Sequence, residues 1–374
     1  MIPLLQIKNL SIDFVTENRT THAVSDISLE VNRGEIVALV GESGSGKSVT
    51  SLSLLKLLPQ PPAVYAGGNL LFSDDGTTAI DLLQVPDNQM QSIRGRKIAM
   101  IFQEPMTSLN PVMRCGKQVM EALIQHKRLT ATEARRQTIE WFARVQLPDP
   151  ERLFDRYPHQ LSGGQKQRVM IAMALCCKPS LLICDEPTTA LDVTVQKAIL
   201  ELIKELQQEL NMGVIFITHD LGVVKEIADK VAILYRGKIV EADTATALFQ
   251  SPQHTYTRAL IACRPALHPK GERLPVVSDF TEPGKSQNIK VKAAAKPPEQ
   301  KEVLMEVTDL VVRFPVKNNI WGKPTAWFTA VDGVSLTIRK GEVAGLVGES
   351  GCGKTTLGRT LLQLIPPTSG SIQY

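Results

Sequence analysis

A glycine-rich segment near the N-terminus has the residue types and spacing that bind a chain of phosphates. It follows the pattern G-x-x-x-x-G-K-[ST] and consists of Gly41, Glu42, Ser43, Gly44, Ser45, Gly46, Lys47 and Ser48. In such a loop the backbone N–H groups face one anion, the lysine places a charge on the outer phosphates, and the hydroxyl ligates Mg²⁺. An apolar run, Ile36–Val40, precedes the loop, and a helix is predicted from Lys47 onward. The alternative is a glycine turn that matches the pattern by chance.

Two neighbouring carboxylates end a second apolar run. Asp185 and Glu186 follow residues 181–184. In a phosphate site Asp185 would hold Mg²⁺ through water, and Glu186 would polarise the water that attacks the γ-phosphate. Acidic pairs also cap helix N-termini, which is the alternative interpretation. The presence of the phosphate loop favours the catalytic interpretation.

A third segment combines small polar residues with the start of a long apolar helix. It reads Leu161, Ser162, Gly163, Gly164 and Gln165. A Ser-Gly-Gly turn at a helix N-terminus is a second anion site, although it is also a plain way to begin a helix. One nucleotide does not need both anion sites of one chain, so we expect two such domains to meet face to face.

The first part of the chain is repeated near its end. Residues 23–58 align without gaps to residues 330–365, with 17 of 36 positions identical. The repeat contains a second phosphate loop, whose candidate ATP-binding residues are Gly348, Gly351, Gly353, Lys354 and Thr355. A repeated phosphate loop makes a chance match improbable, because both copies would have to arise independently.

Apolar runs and helical periods alternate along the first copy. Besides residues 36–40, strands are predicted at 97–102, 180–184 and 213–218, and helices at 132–146 and 169–177. Strands that alternate with helices predict an α/β fold with a mostly parallel core sheet.

The repeat also predicts the domain organisation. We expect a first domain at residues 1–267, a flexible linker rich in lysine and proline at 268–301, and the start of a second domain at 302–374. Since the second copy has no further motifs after its phosphate loop, we expect the chain to be part of a protein of about 500 residues or slightly more.

Composition excludes several functional classes. The chain has 374 residues and a net charge of +4, which is too mild to indicate nucleic-acid binding by charge alone. It has no apolar run long enough to span a bilayer, and no signal peptide is expected at the N-terminus. The cysteines show no metal-ligand spacing, so buried or incidental reduced thiols in the cytosol are expected. They are Cys115, Cys176, Cys177, Cys184, Cys263 and Cys352.

Taken together, these motifs resemble those of the ATP-binding subunits of ABC transporters. Six of them occur in the family's order. They are the Walker A loop at 41–48, the Q-loop at 102–105, the signature at 161–165, Walker B at 181–186, the D-loop at 190–192 and the H-loop at 218–220. The resemblance covers residues 4–265. It implies a P-loop NTPase domain with an antiparallel β subdomain and a helical subdomain at about residues 104–158.

The resemblance also assigns roles near the phosphates. Lys47 and the loop amides would hold ATP, Ser48 and Gln103 would reach Mg²⁺ and the attacking water, and Asp185 would support the metal. Glu186 would be the general base. His219 would contact the γ-phosphate, unless it is a strand-end histidine bonded to the backbone.

Further roles concern adenine and the second domain. Ser162 and Gly164 would bind the γ-phosphate held by the other domain, and Asp192 is the D-loop aspartate. Phe14 is the candidate for stacking on adenine, with Phe314 as its counterpart, but an aromatic residue near a strand end is also typical of a core.

Three segments resemble the peptide/nickel importer branch, namely residues 103–111, 157–160 and 254–260. Fusion of two ATPase domains is similar to glutathione importers and to Yej-type oligopeptide importers. The implied partners are two integral-membrane permease subunits, an extracytoplasmic solute-binding protein and a second nucleotide-binding domain, from the same full-length chain or a homodimer, with no nucleic acid. The implied location is the cytoplasmic face of the bacterial inner membrane, as a peripheral protein. Many members of this branch carry several cysteines just after the last segment, matched to an iron–sulfur cluster. Here only Cys263 lies there, so no cluster is expected.

Two other functions share the phosphate motifs. One is a fused ABC ATPase that acts on ribosomes or DNA rather than in transport, which the importer-like segments and the mild charge argue against. The other is a regulatory or binding fragment, because the second copy lacks a signature and a Walker B motif. We expect this chain to bind ATP at Lys47 and to hydrolyse it weakly unless two first domains pair.

Overall fold

The computed structural model describes residues 2–17, 19–103, 108–189, 191–264, 268, 274–281, 302–318, 324–349 and 351–374. The chain divides into two compact units, residues 1–290 and 291–374. The division falls within the predicted linker. Each unit is described by itself.

The strands of the first unit are β1 (Leu5–Thr16), β2 (Arg19–Val31), β3 (Ile36–Val40), β4 (Ala63–Phe72), β5 (Ile80–Asp81), β6 (Ile98–Ile101), β7 (Leu181–Asp185), β8 (Gly213–Thr218), β9 (Lys230–Tyr235) and β10 (Lys238–Thr244). Its helices are α1 (Lys47–Leu54), α2 (Asp87–Ile93), α3 (Cys115–Lys127), α4 (Ala131–Arg144), α5 (Pro150–Phe154), α6 (Gly163–Leu175), α7 (Val193–Leu210), α8 (Leu221–Ile227), α9 (Ala245–Gln250), α10 (Thr255–Ala262) and α11 (Ser278–Thr281).

A six-stranded sheet forms the centre of the described first unit, in the order β10-β9-β3-β8-β7-β6. Neighbouring strands are parallel except β9 and β10. Every residue of β3, β7 and β8 is buried, as expected of strands covered on both faces. The predicted α/β fold with a mostly parallel sheet is confirmed.

The two faces of this sheet contact different cores. Leu181 and Ile183 pack between the central sheet and an antiparallel sheet of order β2-β1-β4-β5, together with α1 and α2. Leu182 and Cys184, which alternate with them along β7, pack against the helices on the other face. Because side chains alternate along β7, this one strand contributes to the core on each face of the central sheet.

The helices α3 to α5 form a cluster that packs with α6 and α7. Its core includes Trp141, Phe142 and Phe154. Thr130 caps α4 by accepting a hydrogen bond from the Glu133 N–H group, so the helix runs over Ala131–Arg144 rather than 132–146. The apolar helix predicted at 169–177 begins six residues earlier, at Gly163, because Ser162 provides its cap.

The predicted linker differs from expectation at its start. Residues 278–281 form α11, and Val277 packs against the core between β9 and the helices α8, α9 and α10. An apolar side chain at Val277 gains by leaving water, so this part is packed rather than extended. Most of the remaining predicted linker lies outside the described residues.

The second unit contains β11 (Val303–Asn318), β12 (Pro324–Arg339), α12 (Lys354–Leu361) and β13 (Ser369–Gln373). Its described strands form an antiparallel sheet of order β12-β11-β13 around a small core that includes Leu310, Val331 and Leu357. The described residues 342–349 form no strand, although their counterpart in the first copy is β3. In the first unit β3 is hydrogen-bonded on both sides by β8 and β9, and the described second unit has no strands in those positions.

The contact between α3 and α5 yields a test of the helical packing. A Cβ added at Gly116 would lie 2.2 Å from the buried ring of Phe154. We therefore expect Gly116→Ala to lower the free energy of unfolding by about 1–3 kcal/mol, despite the better helix propensity of alanine. Urea unfolding measures the change. Lys117→Ala, on the exposed side of the same helix, is the control and should stay within about 0.5 kcal/mol of the parent chain.

Candidate active site at the carboxyl ends of the parallel strands

Four neighbouring parallel strands bring the candidate residues together. The strands β3, β8, β7 and β6 lie side by side and run in one direction. Their carboxyl ends continue into the phosphate loop, His219, the Asp185–Glu186 pair and Gln103 respectively. In open α/β sheets this edge is where ligands bind.

The phosphate loop connects β3 to α1 in a conformation that requires glycine. Gly46 has a φ of 107°, and a Cβ there would lie 2.7 Å from the carbonyl oxygen of Ala23. The loop leaves the buried hydroxyl of Ser45 without a hydrogen-bond partner among the described residues. A buried donor of this kind is suited to an anion that arrives with the nucleotide.

The side chain of Lys47 is buried against the backbone of the phosphate loop. Its Nζ donates hydrogen bonds to the carbonyl oxygens of Gly41 and Glu42, both at 2.8 Å, and the residue is 6% exposed. Burial lowers the pKa of Lys47, and the negative charges of Glu186 and Asp185 oppose that shift. Two carboxylates and an ammonium group therefore share one partly dehydrated site.

Ser48 and Asp185 provide oxygen atoms suited to Mg²⁺. The Ser48 hydroxyl donates to Asp185 Oδ1 at 3.3 Å. Burial raises the pKa of Asp185, and the hydrogen bond from Ser48 opposes this. The described residues contain no group of three or more His, Cys, Asp or Glu side chains that could hold a metal by itself. Mg²⁺ commonly takes one or two protein oxygens and completes its shell with phosphate oxygens and water, so this pair fits it.

Glu186 is the centre of the polar contacts. Its carboxylate accepts hydrogen bonds from Gln103 Nε2 at 3.1 Å and from the Thr189 hydroxyl at 3.0 Å, and it lies 3.2 Å from His219 Nδ1. The side chain of Glu186 is only 13% exposed. The histidine thus contacts the proposed base through its side chain, which differs from the alternative of a backbone-bonded strand-end histidine.

The interpretation of Asp185 and Glu186 as a helix cap is wrong. A turn follows Glu186, and α7 begins only at Val193. The cap of that helix is Asp192, the D-loop candidate, whose carboxylate accepts from the Val195 N–H group at 2.9 Å. Ala190 of the same loop and residues 104–107 of the importer-like segment lie outside the described residues.

The signature segment begins α6 with a reciprocal cap. Ser162 Oγ accepts from the Gln165 N–H group, and Gln165 Oε1 accepts from the Ser162 N–H group. Ser162 and Gly163 are exposed, Gly164 approaches Val195 of α7, and Leu161 is buried. The helix-start interpretation is therefore correct, and the same geometry leaves Ser162 at the surface. Binding of a phosphate there stays a prediction.

The two aromatic candidates occupy matching positions. Phe14 lies on β1 opposite Thr21 and packs partly against the core between the sheets, whereas Phe314 is 38% exposed on β11. The second phosphate loop repeats the first, because Lys354 Nζ donates to the carbonyl oxygens of Gly348 at 2.6 Å and Glu349 at 2.7 Å. Ser350 of that loop lies outside the described residues. A role for either phenylalanine in adenine binding stays a prediction.

Sequence reasoning missed the contact between Tyr256 and the phosphate loop. The tyrosine is fully buried in α10, and its hydroxyl accepts a hydrogen bond from the Glu42 N–H group at 3.2 Å. Its ring lies 4.1 Å from that of Tyr235. The sequence signal was the helical spacing of Tyr256 from Ala259 and Leu260, which is typical of a buried helix face, since a buried tyrosine hydroxyl needs a partner. A hydrogen bond from the Glu42 N–H group to Tyr256 thus links the importer-like segment to the phosphate loop.

Comparison with known proteins agrees with this geometry. The profile of the ABC transporter family matches residues 24–189 and 331–374. The glutathione import ATP-binding protein GsiA of Pectobacterium atrosepticum is 45% identical over 372 residues, which is 99% of this chain and 60% of that protein. The peptidoglycan transport ATP-binding protein YejF of Agrobacterium fabrum is 47% identical over 372 residues, which is 100% of this chain and 62% of that protein. The chain thus spans about three fifths of the length of these relatives.

Solved structures agree as well. The dimeric bacterial ABC transporter cassette MJ0796 superposes with a TM-score of 0.57 and 28% identity, over 64% of this chain and 98% of that one. CbiO1 from Clostridium perfringens gives 0.56 and 28%, over 67% and 92%. Within the described residues, no helix is long and apolar enough to cross a membrane. The strand-end site, the matched profile and these cassettes together show that the chain belongs to the ABC transporter family, with the ABC ATPase form of the P-loop NTPase fold.

Proposed function

We propose that this chain is the ATP-hydrolysing motor part of an ABC importer. The observation that carries the proposal is Glu186, held by Gln103, Thr189 and His219 at the end of β7, beside a phosphate loop that ends in Lys47 and Ser48. A carboxylate fixed next to a phosphate site is the arrangement that hydrolysis of a nucleoside triphosphate requires.

The residues divide the reaction between them. Glu186 accepts a proton from the attacking water, and Gln103 and His219 hold its carboxylate in position. Lys47 and the backbone amides of the loop bind the phosphates and oppose their charge. Ser48 and Asp185 would hold Mg²⁺, which when bound neutralises charge on the phosphate oxygens.

A second nucleotide-binding domain completes the proposed site. Ser162 is exposed at the start of α6, where a γ-phosphate bound to another domain could reach it. The solved MJ0796 cassettes are described as dimeric, one of them in a post-hydrolysis state with ADP and Pi, which supports pairing of this kind. ATP that binds the closed pair more tightly than the open pair shifts the equilibrium toward closure, and hydrolysis reverses the shift.

The names of the relatives support a peptide-class solute. GsiA is named for glutathione import and YejF for peptidoglycan transport. We therefore propose uptake of glutathione, a dipeptide or an oligopeptide, with two permease subunits and an extracytoplasmic binding protein as partners. The chain would lie on the cytoplasmic face of the inner membrane, and the helices α3 to α5 would transmit closure to the permease.

The role of Glu186 can be separated from ATP binding. We expect Glu186→Gln to keep ATP affinity within about twofold and to reduce turnover by about 10²–10⁴-fold, because the amide keeps the shape of the side chain but accepts no proton. Single-turnover hydrolysis and equilibrium binding of ATP by the full chain measure the two effects. Hydrolysis at the parent rate would refute the assignment.

Lys47 should act mainly on binding. Lys47→Ala removes a charged contact to the phosphates, so we expect ATP affinity to fall by about 10–100-fold. Lys197→Ala is the control, since that side chain is exposed on α7. Equal affinities of both variants, measured by calorimetry, would exclude Lys47 from the phosphate site.

We expect Tyr256 to affect ATP affinity through its hydrogen bond to the phosphate loop. Tyr256→Phe leaves the Glu42 N–H group without its partner, and we expect ATP affinity to fall by about fivefold, the equivalent of one neutral hydrogen bond. Adding Lys47→Ala should make the effect of Tyr256→Phe smaller, because both act on one loop. Tyr157→Phe, in the segment that leads into α6, is the control and should leave affinity unchanged.

A further inference from the structure

A basic cavity lies near the amino end of β6, whereas the nucleotide site lies at the carboxyl ends of the parallel strands. Its volume is about 540 Å³, and it is lined by Arg96, His126, Lys127, Arg128 and Cys177. Arg96 precedes β6, whereas Gln103 follows the other end of that strand. The remaining lining residues come from the ends of α3 and α6. The cavity therefore shares no residue with the site around Glu186.

The charge in this cavity is uniformly positive. Arg96 and Arg128 are exposed, and neither forms an ion pair with a described residue. Lys127 is tied to the end of α6, because its Nζ donates to the carbonyl oxygen of Cys176 at 2.9 Å. Burial and the charge of Arg96 lower the pKa of His126, which keeps its ring neutral at pH 7. None of the described residues that line the cavity is acidic, so the cavity attracts anions.

The one lining thiol belongs to a pair of adjacent cysteines. Cys177 Sγ lies 3.9 Å from Cys176 Sγ, and Cys176 is fully buried while Cys177 retains 8% exposure. The hydrogen bond with Cys176 lowers the pKa of Cys177, burial opposes this shift, and the charges of Lys127 and Arg96 add to the lowering. The same hydrogen bond and burial raise the pKa of Cys176. Each thiol also has a backbone acceptor, since Cys176 Sγ lies 3.2 Å from the carbonyl oxygen of Met173 and Cys177 Sγ lies 3.7 Å from that of Ala122. Cys177 is the member of the pair that lines the cavity and meets its cations.

The other buried thiols lack this environment. Burial raises the pKa of Cys115 to about 11 and also raises that of Cys184. Neither lines the basic cavity. Buried thiols of this kind are unreactive, whereas a thiol beside fixed cations is the reactive type.

We propose that Cys177 is a thiol–disulfide exchange site that selects small anionic disulfides. The thiol of Cys177 loses its proton to solvent, and its sulfur attacks one sulfur of the disulfide R–S–S–R. A Cys177–S–S–R bond forms, and the original S–S bond breaks. The leaving thiolate R–S⁻ takes the electron pair and is protonated in solution according to its own pKa. The disulfide is itself the oxidant, and Arg96, Lys127 and Arg128 bind the anionic groups on R.

The test compares three symmetric disulfides of different charge on the full 374-residue chain in its reduced form. Oxidised glutathione is anionic, 2-hydroxyethyl disulfide is neutral and cystamine is cationic. Peptide mass spectrometry follows each adduct over time at pH 7 and low salt, and each rate is divided by the rate for the chain unfolded in urea. At Cys177 we expect the normalised rate with oxidised glutathione to exceed that with cystamine by at least about tenfold.

A control thiol, a test variant with its matched control variant, and a change of salt sharpen the comparison. Cys263 is half-buried, and burial together with the charges of Asp279 and Glu42 raises its pKa, so it should show no preference for the anionic reagent. The double variant Arg96→Gln with Arg128→Gln should remove most of the preference at Cys177, whereas Lys117→Gln, exposed on α3, should keep it. High salt should also reduce the preference, because it screens the guanidinium charges.

Three results would each overturn the proposal. They are the absence of any adduct at Cys177 in the folded chain, equal normalised rates for the anionic and cationic reagents, and a preference that the double arginine variant leaves unchanged. Thermal unfolding of the variants verifies that they remain folded. The test does not involve ATP, so its outcome is independent of the proposed motor function.

Discussion

The parallel pairing of four buried strands is the constraint on which the nucleotide site depends. Hydrogen bonds align Val40 of β3 with Thr218 of β8, and Asp185 of β7 with Ile217 of β8. A shift of β7 by one residue would exchange Leu182 and Ile183 between the two cores and turn Asp185 away from Ser48. Because both faces of the sheet are buried, such a shift is strongly unfavourable. Core packing therefore sets the register that brings the proposed catalytic side chains together.

The site concentrates features that are costly in isolation. Glu186 adopts a φ of 47°, which costs a non-glycine residue about 1–3 kcal/mol. Lys47 and Asp185 are buried charged groups. The costs are offset locally, since the Glu186 N–H group donates to Ile217 and its carboxylate receives hydrogen bonds, while the opposite charges face each other. A strained, partly dehydrated group of charges that holds its geometry without substrate is suited to stabilising charge that develops during phosphate transfer.

The two copies of the phosphate loop show how much of that loop is local. Lys354 bonds to the carbonyl oxygens of Gly348 and Glu349 as Lys47 does to those of Gly41 and Glu42, although the residues before the second loop form no strand. The loop conformation thus follows from its own glycines and its lysine. Exposure differs, because Lys47 is buried beneath neighbouring strands and carries the pKa shift that burial produces.

Residue order alone determined the elements and the kinds of chemistry. The phosphate loop, the carboxylate pair after an apolar run and the capped glycine turn are short patterns, and their geometry arises within a few residues. The sequence therefore predicted the α/β class, the strand at Ile36–Val40 and the helix starting at Lys47, all of which the structure confirms. Domain roles and ligands that depend on a second domain remain proposals.

Only the tertiary structure decided which of these residues meet. Gln103 and His219 meet Glu186 because three strands end at one edge, and no spacing along the chain predicts those contacts. The same holds for Tyr256, which reaches Glu42 from more than two hundred residues away, and for Cys177, which lines a cavity built from three separate segments. Thr189, by contrast, lies three residues from Glu186 in the same turn. Local patterns specify backbone conformation through nearby sterics and hydrogen bonds, whereas contacts between distant residues depend on how the buried layers pack.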